Sequence, residues 1–331
     1  MPEPIPFEQQ LHVFHGDFDA LRREIAKTIV GQEHVVEAAL TAVIAGGHVL
    51  LEGVPGLGKT VLIRALAEAM QLSFQRIQFT PDLMPTDLLG THVVMENAQG
   101  RRTFEFQQGP LFSNIILADQ INRGMPKTQA ALLEAMEGQS ISVSTETFQL
   151  PKPFCVLATQ NPLEMEGTFP LPEPEIDRFF CKLLLAPPSV EEMAAIIERT
   201  TEGEPPIIAR IVDGRRILEM RQIARNVHIP DDLRRWAASL AAATHPSFPQ
   251  SPASVRQYVR YGASPRGAQA IVMAAKARAA AEGRGAVAAG DLRAVAHAAL
   301  RHRIILNFAG QADGISTDRL IDDILAPSPA S

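Results

Sequence analysis

The segment "LLEGVPGLGKTVL", Leu50 to Leu62, limits the folds open to this chain more than any other. A short apolar run enters a glycine-rich turn, and the turn leads into the amphipathic stretch "VLIRALAEAMQ". Inside it, "GVPGLGKT" (Gly53 to Thr60) satisfies the whole phosphate-binding loop pattern. Gly53, Gly56 and Gly58 let backbone amides turn toward a polyphosphate, Lys59 reaches its β- and γ-phosphates, and the Thr60 hydroxyl binds Mg²⁺. The strand before it and the helix after it separate this motif from a chance glycine-rich turn. Together they open a βαβ unit.

Four further runs read as strands: "SFQRIQF" (73–79), "NIILAD" (114–119), "FCVLATQ" (154–160) and "CKLLLA" (181–186). With "HVLLEG" they make five, separated by crossover-length segments. Near-continuous apolar strands suit a parallel sheet covered by helices on both faces. This predicts an α/β domain over residues 1–188, with helices at 17–28 and 32–45 ahead of the first strand. "HVVMENAQGRRTFEFQQG" (92–109) and "QSISVSTETFQLPKPF" (139–154) read as hairpin insertions; each could be a plain surface loop, but hairpins that interrupt a compact α/β core are more often functional than decorative. After "APPS" the chain becomes Ala-, Arg- and Leu-rich with no strand series. "DDLRRWAASLAAAT", "RGAQAIVMAAKARAAAEG" and "AGDLRAVAHAALRHRI" carry helical periodicity, with Asp231 and Asp291 as expected N-caps and Gly283 as a stop. A smaller all-α domain over 189–331 is expected, its tail "LAPSPAS" frayed. The length of 331 residues also favours two domains over one.

The net charge of −6 and an aromatic content of 5% weigh against a dedicated nucleic-acid binder, though a local basic stripe stays open. The N-terminus lacks a signal-peptide pattern, and no apolar run approaches the ~18 residues of a membrane span. Cys155 and Cys181 lie in apolar segments and read as reduced core thiols, so the expected location is cytoplasmic.

The second chemical motif is "NIILADQINRG". Asp119, at the end of an apolar strand, is placed to hold Mg²⁺ directly or through water; in isolation it would pass as a helix cap. The next position in such sites needs a carboxylate that activates water. Gln120 is neutral and of nearly the same size, but its terminal group cannot act as a base. Nucleotide binding should survive, and turnover should fall about 10²–10⁴-fold.

The phosphate loop, "IILADQINRGMPKTQAALLEAMEG", "LATQNPLEMEGTFPLPEPEIDRFF" and "GASPRGAQAI" together resemble the MoxR family of AAA+ ATPases, over about Ile29 to Ile304. The resemblance implies an AAA+ P-loop NTPase core with a five-stranded parallel sheet and two hairpin insertions, then the all-α lid. Val30 and Gly31 in "IVGQ" would border the adenine, with Pro55, Gly56, Leu57, Gly58, Lys59, Thr60 and Val61 around the phosphates and Thr60 and Asp119 on the metal. Asn161 matches sensor 1, which places the attacking water; alone it is a strand-end turn residue. Arg178 matches the arginine finger that acts on a neighbouring subunit; the alternative is an internal ion pair with Glu175 or Asp177. Arg266 matches sensor 2, which contacts the phosphates; alone it is an ordinary residue at a helix start. Arg123 is either a second inter-subunit arginine or a structural ion pair. The hairpins would face the central channel or the substrate, with Arg101, Arg102, Thr103 and Phe104 near the first tip, which otherwise reads as a solvated basic turn.

The resemblance implies ATP or ADP and Mg²⁺ as cofactors and a homo-oligomeric ring, a hexamer by family. It also implies a protein client, reached through a partner with a von Willebrand factor A domain. The family carries Asp-Glu where this chain has Asp119-Gln120. Glutamate to glutamine is the smallest change that removes the base and keeps the shape. With every other site position intact, Gln120 reads as an introduced trap of the ATP-bound state. The alternatives are a nucleotide-gated scaffold that never hydrolyses and, further off, a nucleic-acid motor.

Overall fold

The computed structural model describes residues 5–96, 102–143, 146–161, 167–201 and 206–326. Two helices, α1 (Phe7–Ile25) and α2 (Glu33–Ala45), precede β1 (Val49–Glu52). The phosphate loop follows and runs into α3 (Lys59–Ala69). Next come β2 (Phe74–Gln78), the short α4 (Pro85–Leu89) and the hairpin β3 (Gly90–Glu96) and β4 (Arg102–Gln108). β5 (Ile115–Asp119) leads through a 3₁₀ turn at Ile121–Arg123 into α5 (Pro126–Gly138). A second hairpin, β6 (Ser140–Val143) and β7 (Glu146–Gln149), precedes β8 (Cys155–Gln160), α6 (Glu173–Ile176) and β9 (Cys181–Leu184).

β2, β5, β8, β1 and β9 form one parallel sheet in that order, the five strands expected. Alternate residues feed two cores. Val49, Leu51, Ile115, Leu117 and Leu157 pack on one face against α1, α2, α3 and the C-terminal helices. Leu50, Ile116, Ala118, Val156 and Ala158 pack on the other, against α4 and α5. A strand buried on both faces has no polar side to show, which is why these runs read as continuous apolar stretches. The two cysteines are buried free thiols, and burial pushes each up to about 12.

α1 begins ten residues before the expected start. Leu11, Phe14, Phe18, Leu21 and Ile25 form one buried stripe at spacings of three and four, and Gly16 interrupts the pattern without ending the helix. The hairpins are joined at their bases: the Phe106 and Phe148 rings stack with centroids 4.3 Å apart, and Phe112 packs edge-on against both. Phe104 is exposed near the first tip. Arg101 and the side chain of Thr103 lie outside the described residues.

The C-terminal half comprises α7 (Val190–Thr201), α8 (Gly214–Asn226), α9 (Asp231–Ala242), α10 (Ala253–Tyr258), α11 (Pro265–Ala281), α12 (Ala289–Leu300), α13 (Phe308–Ala312) and α14 (Thr317–Leu325). Two strands of two or three residues, β10 (Val259–Tyr261) and β11 (Ile305–Leu306), pair between them, too short to leave a periodic signal. Gly283 ends α11 in the left-handed region, as expected. Asp231 and Asp291 are not N-caps. Pro230 and Ala288 hold those positions, and Asp291 sits in the first turn, where it accepts the Ala288 N–H at 2.8 Å. The tail from Pro327 onward lies outside the described residues.

Candidate functional site

Parallel strands aim their C-terminal ends at one edge of the sheet, and there β1, β5 and β8 meet a cavity of about 290 Å³. Pro55, Gly56, Leu57, Gly58, Lys59, Thr60, Asp119, Gln120 and Asn161 line it, so most of the expected nucleotide residues are brought together. Gly56 and Gly58 have φ of +86° and +75°; open space surrounds both, so the backbone turn rather than crowding requires glycine. Lys59 donates to the Gly53 and Val54 carbonyls at 2.7 and 2.8 Å. Burial pushes its ammonium below the usual lysine value, and the Asp119 charge pulls the other way.

Asp119 ends β5 with both oxygens engaged. Thr159 donates to Oδ1 at 2.7 Å, and Arg76 donates to Oδ2 from Nε at 3.0 Å and Nη2 at 2.6 Å. Gln120 turns left-handed at φ 55°, and its N–H donates to the Thr159 hydroxyl at 2.8 Å. Its Oε1 accepts from Gln78 Nε2 at 2.9 Å and Arg123 Nη1 at 3.4 Å. A glutamate here would accept the same two bonds, so the amide fits a carboxylate's mould. Thr60 and Asp119 present hydroxyl and carboxylate oxygens to one cavity, the hard donors suited to a Mg²⁺ that keeps water and phosphate oxygens as its other ligands.

Val30, Gly31 and Val61 are not among the lining residues. Gln32 donates to the Ala186 carbonyl at 2.9 Å, and Leu185 packs on Gly53, so the "IVGQ" segment and the phosphate loop border the same strand end. Gly31, at φ +72°, lies under the Glu192 carboxylate; a Cβ there would meet Oε1 at 2.0 Å. Val61 is half exposed on α3.

Arg178 and Arg266 come together elsewhere. Arg266 donates to Glu137 Oε1 at 2.6 Å; Arg178 pairs with Glu137 Oε2 at 3.4 Å and with Glu175 at 3.1 Å. With His48 and Met136 they line a second cavity of about 160 Å³. Glu137 is at the far end of α5 from the Gln120 turn. The helix has 13 residues, so roughly 20 Å separates its two ends. Neither arginine lines the loop cavity of its own chain. The lid side is pinned by Asp177, which accepts from Arg303 Nε at 2.8 Å and from Ser264, the N-cap of α11, at 2.7 Å. His48 braces Glu137 from behind: its Nε2–H donates to the Met136 carbonyl at 3.1 Å and its Nδ1 accepts the Val156 N–H at 3.0 Å. Burial lowers the ring to about 4, so it is neutral.

Arg76, Gln78, Thr159 and Glu137 were not anticipated. Gln78 is opposite Asp119 in register, and strand alternation puts Arg76 on the same side as Gln78. β2 carries Gln75, Arg76 and Gln78 among its five residues, so the sequence marks a polar strand without singling out the two that reach the cavity. Glu137 has no local signal, because its partners are distant in the chain.

The family described as "ATPase family associated with various cellular activities (AAA)" matches residues 48–181, and the AAA lid domain matches 252–324. "Chaperone MoxR1" of Mycobacterium tuberculosis is 40% identical over 91% of this chain and 79% of its own length. "Protein MoxR" of Paracoccus denitrificans is 31% identical over 89% of this chain and 90% of its own. The crystal structure of a putative ATPase from Cytophaga hutchinsonii superposes with a TM-score of 0.90, at 39% identity and covering 98% of both chains.

Proposed function

The chain belongs to the MoxR family of AAA+ ATPases, and we propose that it works as a nucleotide-driven, chaperone-like ring of identical subunits that remodels or activates a protein client. We place the boundary between core and lid at 188/189. ATP or ADP with Mg²⁺ binds in the loop cavity, where Lys59 and the loop amides hold phosphates and Thr60 and Asp119 hold the metal. Val30, Gly31 and Val61 border the base and the loop, and Asn161 places water. The observation that carries this reading is the convergence of loop, Asp119, Gln120 and Asn161 on one cavity. A hexamer, a cytoplasmic location and a von Willebrand factor A partner complete the proposal.

Arg178 and Arg266 act on the nucleotide of the neighbouring subunit. Their separation from their own loop by the length of α5 supports this, as does their shared grip on a carboxylate, an anion that guanidinium groups bind as they bind phosphate. Arg123, resting on Gln120 in its own chain, belongs to the loop side of the contact.

Gln120 is a trap: nucleotide binds, and hydrolysis stalls for want of a base. The fit of the amide between Gln78 and Arg123 supports an otherwise whole site. The test is Gln120→Glu, with turnover expected to rise about 10²–10⁴-fold in the assembled protein with Mg²⁺. An unchanged rate favours the second reading, a nucleotide-gated scaffold, which only Gln120 recommends.

A further inference from the structure

We propose that Arg76 is the resident counter-ion of Asp119: it neutralises the metal-binding carboxylate whenever Mg²⁺ does not, and so lets the cavity hold nucleotide with or without the metal. The proposal rests on the reading of the cavity as a Mg²⁺-nucleotide site.

Both Arg76 donors converge on one oxygen of Asp119, at 2.6 and 3.0 Å, in a cavity that Arg76 itself lines. Asp119 does not depend on Arg76 for its position, because Thr159 holds the other oxygen at 2.7 Å. Its side chain is only 14% exposed, whereas that of Arg76 is 48% exposed, so the guanidinium is the mobile partner. Its Nη2 also donates to Gln78 Oε1 at 2.6 Å, so a guanidinium that left Asp119 would still have an anchor at the cavity wall.

The charges then make Mg²⁺ and Arg76 alternatives. A planar guanidinium suits carboxylate and phosphate equally well. With Arg76 on Asp119, the cavity offers Lys59 and no net carboxylate charge to a polyphosphate. With Mg²⁺ on Asp119, the metal supplies the neutralising charge, and the released Arg76 rests on Gln78 rather than on the phosphates. Without either, Asp119 is offset only by Lys59, the cation the phosphates themselves need, and it repels them.

The experiment is calorimetric titration of the full chain with ATP, once in EDTA and once in saturating Mg²⁺. Gln120 suits it, since the nucleotide is not consumed during the titration. Arg76→Ala is expected to weaken ATP binding about tenfold in EDTA, the size of one charge-assisted contact, and to change it less than about threefold in Mg²⁺. The Mg²⁺ concentration needed for half of the metal-dependent gain should fall, because its competitor is gone. Arg76→Lys keeps the charge and should retain most of the EDTA affinity. Equal weakening in both conditions would make Arg76 an ordinary phosphate contact and overturn the proposal. So would no change in either, or a lysine variant as weak as the alanine one. If the parent chain binds no ATP even in Mg²⁺, the reading of the cavity fails, not the role of Arg76.

Discussion

In the loop cavity each charged side chain has its own support: Lys59 rests on two loop carbonyls, and Asp119 on Thr159 and Arg76. About the length of α5 away, Arg178 and Arg266 share one carboxylate, Glu137, whose side chain is 52% exposed. The first arrangement holds a binding site ready within one chain. The second pairs two arginines with a half-exposed carboxylate, the arrangement that our proposal assigns to a site completed by a neighbour. The difference teaches that completeness, not residue type, separates the two: arginines and carboxylates occur in both, but only the loop cavity gathers the glycine-rich loop, Lys59, Thr60 and Asp119 in one place.

The largest effect should come from setting the two regions against each other. In the Gln120→Glu background, Arg178→Ala should cut turnover about 10³–10⁵-fold while ATP affinity stays within threefold, the signature of a charge supplied at the transition state. Arg266→Ala should act in the same sense. Mixing Arg178→Ala subunits with Lys59→Ala subunits should restore part of the rate, since each lacks what the other supplies. A loss of ATP affinity in an isolated Arg178→Ala chain, or no recovery on mixing, breaks the division between a self-contained site and a donated one.

How far each region was legible follows from the same difference. The phosphate loop, Asp119 and Asn161 sit at strand ends whose neighbours are fixed by the parallel register, so local motifs suffice to assemble them. Arg76 and Gln78 lie in a strand with a third polar residue, Gln75, so local pattern did not set them apart. Glu137, Arg178 and Arg266 lie on α5, after α6 and on α11, and no periodicity links them; only the packing of lid against core, through Asp177, Ser264 and Arg303, brings them together. The start of α1 was misplaced because Gly16 breaks a pattern that burial nonetheless continues.

Acid should separate the regions more gently. His48, behind Glu137, is held neutral at about 4 rather than its ordinary 6.5, with both ring nitrogens already bonded to backbone. Below pH 6.5 the unfolded chain binds a proton that the folded chain refuses, so stability falls as pH drops from about 6.5 toward 4, by up to about 3 kcal/mol for this ring. Buried His302, lowered well below its usual value, adds in the same direction. Urea unfolding across this range should show the slope, and His48→Gln should flatten it. Hydrogen exchange at pH 5 should rise at the end of α5 before it rises in α3. Earlier exchange in α3 would show that the loop side, not the arginine side, is the acid-sensitive one.

The smallest effect is the most discriminating. Glu137→Ala removes only surface ion pairs, so stability should change by less than about 1 kcal/mol. If Glu137 merely stands in for a neighbour's phosphate, its removal releases Arg266 from its shortest ion pair and leaves Arg178 on Glu175 alone, so both meet that phosphate with less competition. In the Gln120→Glu background turnover should then be equal to the parent's or a few-fold higher, most clearly at low protein concentration, where the neighbour competes worst with an internal anion. That is the opposite sign from Arg178→Ala, although both variants break the same contact. A fall in turnover as deep as the arginine variants show would make Glu137 a working part of the donated site. The cluster would then be a preorganised unit in its own right, and its contrast with the loop cavity would be one of location alone.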